Sequence, residues 1–341
     1  MRRSQLIWSI AALAALLCCG MWAQLTKKTA VPGGLLLIAN KGTNSVGVID
    51  PNKRQQVAQI FEGGVTGHEI AVAPDGRTAY VPIYGNSGVG RPGTDGHNLV
   101  VVDVDARKVV GNVDFGKGVR PHCPVVGPKN HLLYVTTELN QSVSIIDPAT
   151  LKIVGEVPTG QEESHMLAIT RDGHRGYTAN VGPGTVSVLD LDGHKALAII
   201  PVAKQVQRIS LAVDDSMVFT SDVTKPQLAV IDTATNKVKA WVALPDMGYG
   251  TAPTPDGAWL LVALHLANKV AAVNLKTMKV EHVIDVPSRP QAVVVRPDNK
   301  VAYVSCDQSA KVAVIDLSGW RVSGVIDAGA GADGMAWAAR K

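Results

Sequence analysis

Seven short apolar segments, each ending in aspartate or asparagine, recur along this 341-residue chain, and their spacing constrains the fold more than any other feature. They are VGVID to Asp50, VVVD to Asp103, VSIID to Asp147, VSVLD to Asp190, LAVID to Asp232, VAAVN to Asn274 and VAVID to Asp316. Successive spacings are 53, 44, 43, 42, 42 and 42 residues. A period of that length, built from short strands and turns, predicts propeller blades of four strands each. Seven copies predict an all-β, seven-bladed β-propeller with antiparallel strands in every blade. Such blades cannot bury their faces alone, so the repeat predicts one closed unit rather than the two domains that length would suggest. Scarce aromatics (4%) and 33 glycines suit thin, close-packed strands joined by tight turns.

One repeat can be written out strand by strand. Strand A runs from His165 to Ile169, the turn is Arg171-Asp172-Gly173, strand B is 175–180, strand C 185–190 and strand D 195–200. The A–B turn recurs as Pro74-Asp75-Gly76, Pro255-Asp256-Gly257 and Pro297-Asp298-Asn299. Asp and Gly are turn formers here, a carboxylate accepting nearby amides and a residue tolerant of positive φ. The Asp closing strand C reads the same way. A dozen carboxylates that resemble catalytic groups are therefore structural. The chain opens on a B-like strand, 35–39, and ends on an A-like strand, 333–338, so the two termini are expected to share one blade and latch the ring.

The N-terminal stretch is different. Arg2 and Arg3 precede an apolar run from Leu6 to about Cys19, with small and polar residues near Ala23-Gln24. That layout predicts a secretory signal peptide over 1–23, a linker over 24–34 and the propeller over 35–341. Leu17 argues against lipidation at Cys18 or Cys19, and the arginine pair also suits a twin-arginine route. The expected location is periplasmic or extracellular, with no stable membrane span in the mature chain. Cleavage lowers the formal charge from +4 to +2, too little to point to nucleic acid. Cys123 and Cys306 then remain, in distant blades, and are expected to be buried and unbridged.

Strand B segments YVTT (134–137), YTAN (177–180), YVSC (303–306) and LIAN (37–40), with the PDG turns and V-x-V-I-D strands, resemble the YVTN-repeat propellers, the YncE-like family. The resemblance covers essentially the whole mature chain. It implies the fold and leaves the chemistry open, since its relatives include surface-layer proteins, haem d1 domains and lactonases.

In a propeller, strand A starts at the mouth framed by the D–A and B–C loops. Counting back from the A–B turns places His68, His122, His165, Gln207, Tyr249 and Gln291 there, with Asp333 in the closing blade. Three consecutive blades thus bring His68, His122 and His165 to one end of the channel, where they could hold one divalent metal ion. The alternative is that they are polar residues of a hydrated channel. The longer first period reflects residues 84–98, five of them glycine, expected as a B–C loop offering Arg91, Asp95 and His97. Arg120, Arg208 and Arg289, with Lys117, Lys204 and Lys225, make that mouth mildly cationic, against Glu69, Glu138, Glu162, Glu163 and Asp222. Gln207, Arg208, Tyr249, Gln291, Arg120, Arg91 and His97 are accordingly candidate ligand contacts.

No G-x-S-x-G elbow, C-x-x-C-H site or phosphate-cradling loop occurs, so serine hydrolysis, covalent haem and nucleotide chemistry have no support. Two expectations remain. One is an exported module that binds a small anionic ligand or another exported protein. The other is a metal-assisted lactonase or lyase acting on a sugar-acid-like substrate.

Overall fold

A computed structural model describes residues 33–340; the expected signal peptide, most of the linker and Lys341 lie outside the described residues. Seven four-stranded antiparallel sheets make up the fold. Blade 1 combines Gly34–Asn40, Ser45–Asp50 and Gln55–Phe61 with the C-terminal strand Ala332–Ala339. Blades 2 to 7 span 71–114, 121–158, 164–201, 206–243, 251–285 and 290–327. Leu36 lies opposite Trp337 and Ile38 opposite Met335, so the C-terminal strand closes the ring as strand A of blade 1. Among the described residues no helix is long and apolar enough to cross a membrane.

Burial follows position in the blade. Strands B and C lie between neighbouring blades and are buried on both faces, as in Trp259–Leu264 and Lys269–Asn274. They therefore read as runs of Val, Ile, Leu and Ala rather than as alternating patterns. Strand D is outermost and keeps a buried β-branched residue at its sixth position: Ile60, Val113, Val157, Ile200, Val242, Ile284 and Ile326. Each such side chain contributes roughly 1.5–3 kcal/mol on burial.

The turn aspartates are structural. Asp50, Asp103, Asp147, Asp232 and Asp316 each accept the amide two residues on, as does Asn274, while Asp190 accepts that of Gly193. In the A–B turns Asp75, Asp172, Asp214, Asp256 and Asp298 accept amides in the same way. The amide of Ala149 holds the Asp147 carboxyl below its ordinary pKa. Every C–D turn ends on a residue with φ of 50–55° just before strand D: Arg54, Arg107, Leu151, His194, Asn236, Met278 and Trp320. A register shift follows in each C–D pair, the signature of a bulge seeded by a left-handed residue.

Three details differ from the sequence reading. In blade 2 the regular strand A is Ala71–Val72, and in blade 6 it is Thr251–Pro253, so His68 and Tyr249 precede their strands. Strand B of blade 2 continues to Gly85 and strand C begins at Asp95, which trims the expected 84–98 loop to 86–94. Tyr84 is drawn into the strand because its ring is fully buried and its amide donates to the Thr66 carbonyl. Trp241, whose place in a strand pattern suggests core packing, is 41% exposed, because the fifth residue of strand D alternates onto its outer face. Cys123 and Cys306 are buried and unbridged, and burial pushes both thiols up to about 12.

Candidate functional site

At the start of strand A the ladder is interrupted in five blades. Ser164 pairs with Asn180 and Met166 with Ala179, leaving His165 bulged. Similar irregularities fall at 122–123, 208, 291–292 and 333–334. A bulge re-aims the side chain it carries, and these positions turn polar groups into the channel. In blade 5 the bulge falls one residue later than in blade 4. Arg208, with φ of 55°, therefore turns inward beside Gln207.

Half of the mouth is ionic. Arg208 Nη1 lies 2.5 Å from Glu69 Oε1, and Nη2 donates to Asp333 Oδ1 at 2.7 Å. The Lys41 ammonium sits 3.0 Å from Asp333 and 3.6 Å from Asp307. Burial lowers Lys41, but Asp333 and Asp307 outweigh it and its pKa is raised. Burial likewise raises Asp333, yet Lys41 and Arg208 win and hold it below its ordinary value. Glu69 goes the other way, because its burial outweighs Arg208. The Arg208 guanidinium also lies over the Tyr249 ring at 5.3 Å, and Gln207 Nε2 approaches the Tyr249 hydroxyl at 3.4 Å. Gln291 Nε2 donates to Asp307 Oδ2 at 3.4 Å.

The other half is aromatic. His68, His122 and His165 do come together, around Tyr84. The His122 and His165 rings stack at 3.5 Å, and His68 meets His122 edge-on at 5.5 Å. His122 Nδ1 lies 3.1 Å from the His165 carbonyl, which can only accept, so that nitrogen carries the proton. His165 Nδ1 pairs with Glu138 Oε1, and the Tyr84 hydroxyl donates to Glu138 Oε2 at 2.8 Å. Burial drives His122 well below its ordinary pKa and His68 to about 3. Among the described residues no group of three His, Cys, Asp or Glu is arranged to hold a metal ion.

Above these rings the 86–94 loop is pinned by one residue. Arg120 donates from Nε to Asp95 Oδ1 at 2.6 Å, from Nη2 to the Arg91 carbonyl at 2.8 Å and from Nη1 to the Gly88 carbonyl at 3.4 Å. Gly90, with φ of 66°, packs so closely on Glu163 of blade 4 that a Cβ would lie 2.4 Å from its carboxylate. The loop thus spans from blade 2 to blade 4 and encloses a groove of about 350 Å³, with Arg91, Arg120, Glu138, Glu162 and Glu163 in its walls. His97 lies outside it, in strand C, and bonds Asp114.

Apart from Glu138, which the sequence already places at the mouth, counting from the turns missed a second ring of positions, the residue that follows strand B. Lys41 meets Asp333, Glu138 meets His165, Asp307 meets Gln291, and His265 lies 4.7 Å from the Tyr249 ring. Aligning the ends of strand B would have found them. Asp222, expected among the mouth acids, is a buried turn former that accepts from Thr224, Lys225 and Gln227.

No family model matches the chain, and no curated protein matches it. Solved structures do. Hydrazine synthase of Kuenenia stuttgartiensis superposes with a TM-score of 0.72 at 19% identity, over 88% of this chain and 99% of that one. Dihydro-heme d1 dehydrogenase NirN in complex with DHE superposes at 0.61 and 15% identity, over 89% and 74%. At these identities the likeness shows the fold alone: the chain is a seven-bladed β-propeller, and its chemistry must be read from its own residues.

Proposed function

We propose that this chain is an exported, YVTN-type propeller that works as a binding module through the rim groove under the 86–94 loop. The observation that carries this reading is the three-bond clamp by which Arg120, at the entry to blade 3, holds the loop of blade 2 over the groove. Ordering a glycine-rich segment costs conformational entropy, and a fold keeps such a loop ordered where its shape is used. Arg120 and Arg208 are both committed to internal carboxylates, so the mouth offers a small anion fewer cations than the sequence suggests. Arg91, Glu162 and Glu163 leave a groove of mixed sign, better matched to a polar segment of another exported protein.

A photo-crosslinking side chain at position 91 or 162, tested in the exported fraction, should trap one partner that is lost in Arg120→Ala. The same probe at Lys276, on the opposite face, should trap none. Equal capture from both faces would remove the groove as the binding surface. The metal-assisted alternative requires His68, His122 and His165 to turn onto one ion, against the stacking of His122 on His165. One equivalent of metal by elemental mass spectrometry, lost in the triple histidine variant, would favour that alternative.

A further inference from the structure

On the face opposite the mouth, one blade breaks the rule that the other six keep. The fourth residue of strand D is Gly or Ala in six blades and lies opposite Val or Ile on strand C, as in Gly111 with Val101 and Gly155 with Ile145. That small residue makes room for the left-handed residue of the next blade's C–D turn. A Cβ on Gly111 would lie 2.7 Å from Leu151, one on Gly155 3.0 Å from His194, and one on Gly324 3.0 Å from Arg54. Blade 6 reverses the pair, with His282 opposite Ala272. The left-handed residue it meets is Trp320 of blade 7, and the two rings stack at 4.5 Å and 12°. Trp320 therefore rests on an imidazole rather than on backbone. Its indole meets Trp259, which opens strand B of blade 6, at 4.7 Å and 60°.

Between blades 6 and 7 the two indoles line a cleft of about 500 Å³. That volume lies within the roughly 300–1,000 Å³ of small-molecule sites. The polar groups of the cleft are held in place by turn hydrogen bonds. Asp256 accepts from the Ala258 amide at 3.0 Å and from Asn299 Nδ2 at 2.7 Å, and Asp316 accepts from the amide and hydroxyl of Ser318 at 3.0 and 2.8 Å. Their geometry is thus fixed before any ligand arrives, which lowers the ordering cost of binding.

The geometry points to this cleft as a binding site for an uncharged saccharide, with a pyranose ring against indole and its hydroxyls on Asp256, Asn299 and Asp316. The C–H face of a pyranose carries slight positive charge and suits the negative face of an indole. Its vicinal hydroxyls suit carboxylate and amide oxygens. The lining sets Asp256 and Asp316 against the single cation Lys300, a net negative charge that disfavours an anion, and a purely apolar ligand would displace water from these polar groups without replacing its hydrogen bonds. The inference uses the face opposite the rim groove and stands apart from that reading.

The test is titration of the purified propeller with a panel of neutral oligosaccharides (maltotriose, cellotriose and tri-N-acetylchitotriose), followed by tryptophan fluorescence and calorimetry. Choline serves as the cationic comparison. Saturable binding of a panel sugar is expected, weakened about tenfold or more in Trp320→Ala and unchanged in Trp241→Ala. Because Trp320→Ala opens a packed corner, His282→Gly is the second variant. Combined with Ala272→Val it restores the Gly–Val pair that blades 2 and 7 carry, so it should keep the thermal midpoint near that of wild type yet lose the sugar as Trp320 settles onto the strand. Failure of every panel sugar to bind at millimolar concentration would overturn the proposal. So would equal binding by wild type and both variants, or a preference for choline over all three sugars.

Discussion

Arg208 of blade 5 and Asp333 of blade 1 meet across the central channel, the guanidinium Nη2 donating to Oδ1 at 2.7 Å with both side chains buried. Glu69 of blade 2 takes the other guanidinium nitrogen and Lys41 the other Asp333 oxygen, so one arginine ties three blades together at the mouth.

Removing that cation leaves two carboxylates buried beside a single lysine. Arg208→Met should destabilise the fold by about 3–5 kcal/mol at neutral pH, the usual cost of breaking a buried pair from one side. Glu69→Gln added to it should recover part of the loss, because the neutral amide no longer needs a counter-charge. Urea unfolding of the single and double variants measures both. An Arg208→Met protein as stable as wild type would mean the cluster is hydrated rather than buried.

The latch makes a second prediction. Strand 332–339 covers the edge of 34–40, whose residues Leu36, Leu37, Ile38 and Ala39 are fully buried. Deleting residues 332–341 strips one side of that strand and opens the ring. Loss of the cooperative thermal transition by circular dichroism is the expected result. A truncated chain that still melts cooperatively near the wild-type temperature would place the stability of the ring elsewhere.

The architecture was legible because its signals are local and repeated: turn aspartates, two-sided apolar strands and a fixed period. The convergence of His68, His122 and His165 was legible for the same reason, since each opens strand A at the same count from a turn. Arg208 was visible as a mouth residue, but its inward turn was not, because a bulge displaced by one residue leaves no mark in a period of 42. Glu138 and Glu69 read only as acids of the mouth, whereas the structure buries them against His165 and Arg208 respectively. Pairings across a ring join residues far apart in sequence, and nothing in local spacing records them. The exchange of His282 and Ala272 within blade 6 stood in the repeat alignment, as a departure from Gly or Ala at one register position.

Glu62 gives the fold a pH dependence of definite sign. Burial raises its carboxyl from 4.5 to about 7, although the Gly67 amide, 2.8 Å away, pulls it back. The folded state therefore holds the proton more tightly than the unfolded chain between those values. Ionised Glu62 costs stability above pH 7, and that cost fades as the pH falls to 4.5. Glu62→Gln should gain up to about 3 kcal/mol at pH 8 and nothing at pH 4.5. His68, lowered from 6.5 to about 3, acts in the opposite sense: the unfolded chain binds its proton more readily, so its contribution is lost as pH falls through that window. Denaturant midpoints of wild type, Glu62→Gln and His68→Gln across pH 4–8 separate the two. A Glu62→Gln gain that does not change with pH would assign the effect to packing.

Arg120 should govern the loop and not the ring. Its three bonds go to Asp95 and to the carbonyls of Gly88 and Arg91, all at the 86–94 loop, whereas the strands of blade 3 are paired without its side chain. Arg120→Ala removes the clamp and leaves Asp95 near the surface, where its charge is readily hydrated. Amide exchange over 86–94 should accelerate about tenfold or more, while exchange in strands B and C of blade 3 stays as in wild type and the thermal midpoint moves little. Arg120→Lys supplies charge but only one donor group, and should restore the Asp95 contact without the grip on both carbonyls. Exchange intermediate between wild type and the alanine variant is then expected. Unchanged exchange in Arg120→Ala would mean that the packing of Gly90 on Glu163 alone holds the loop, and the groove would then depend on that contact instead.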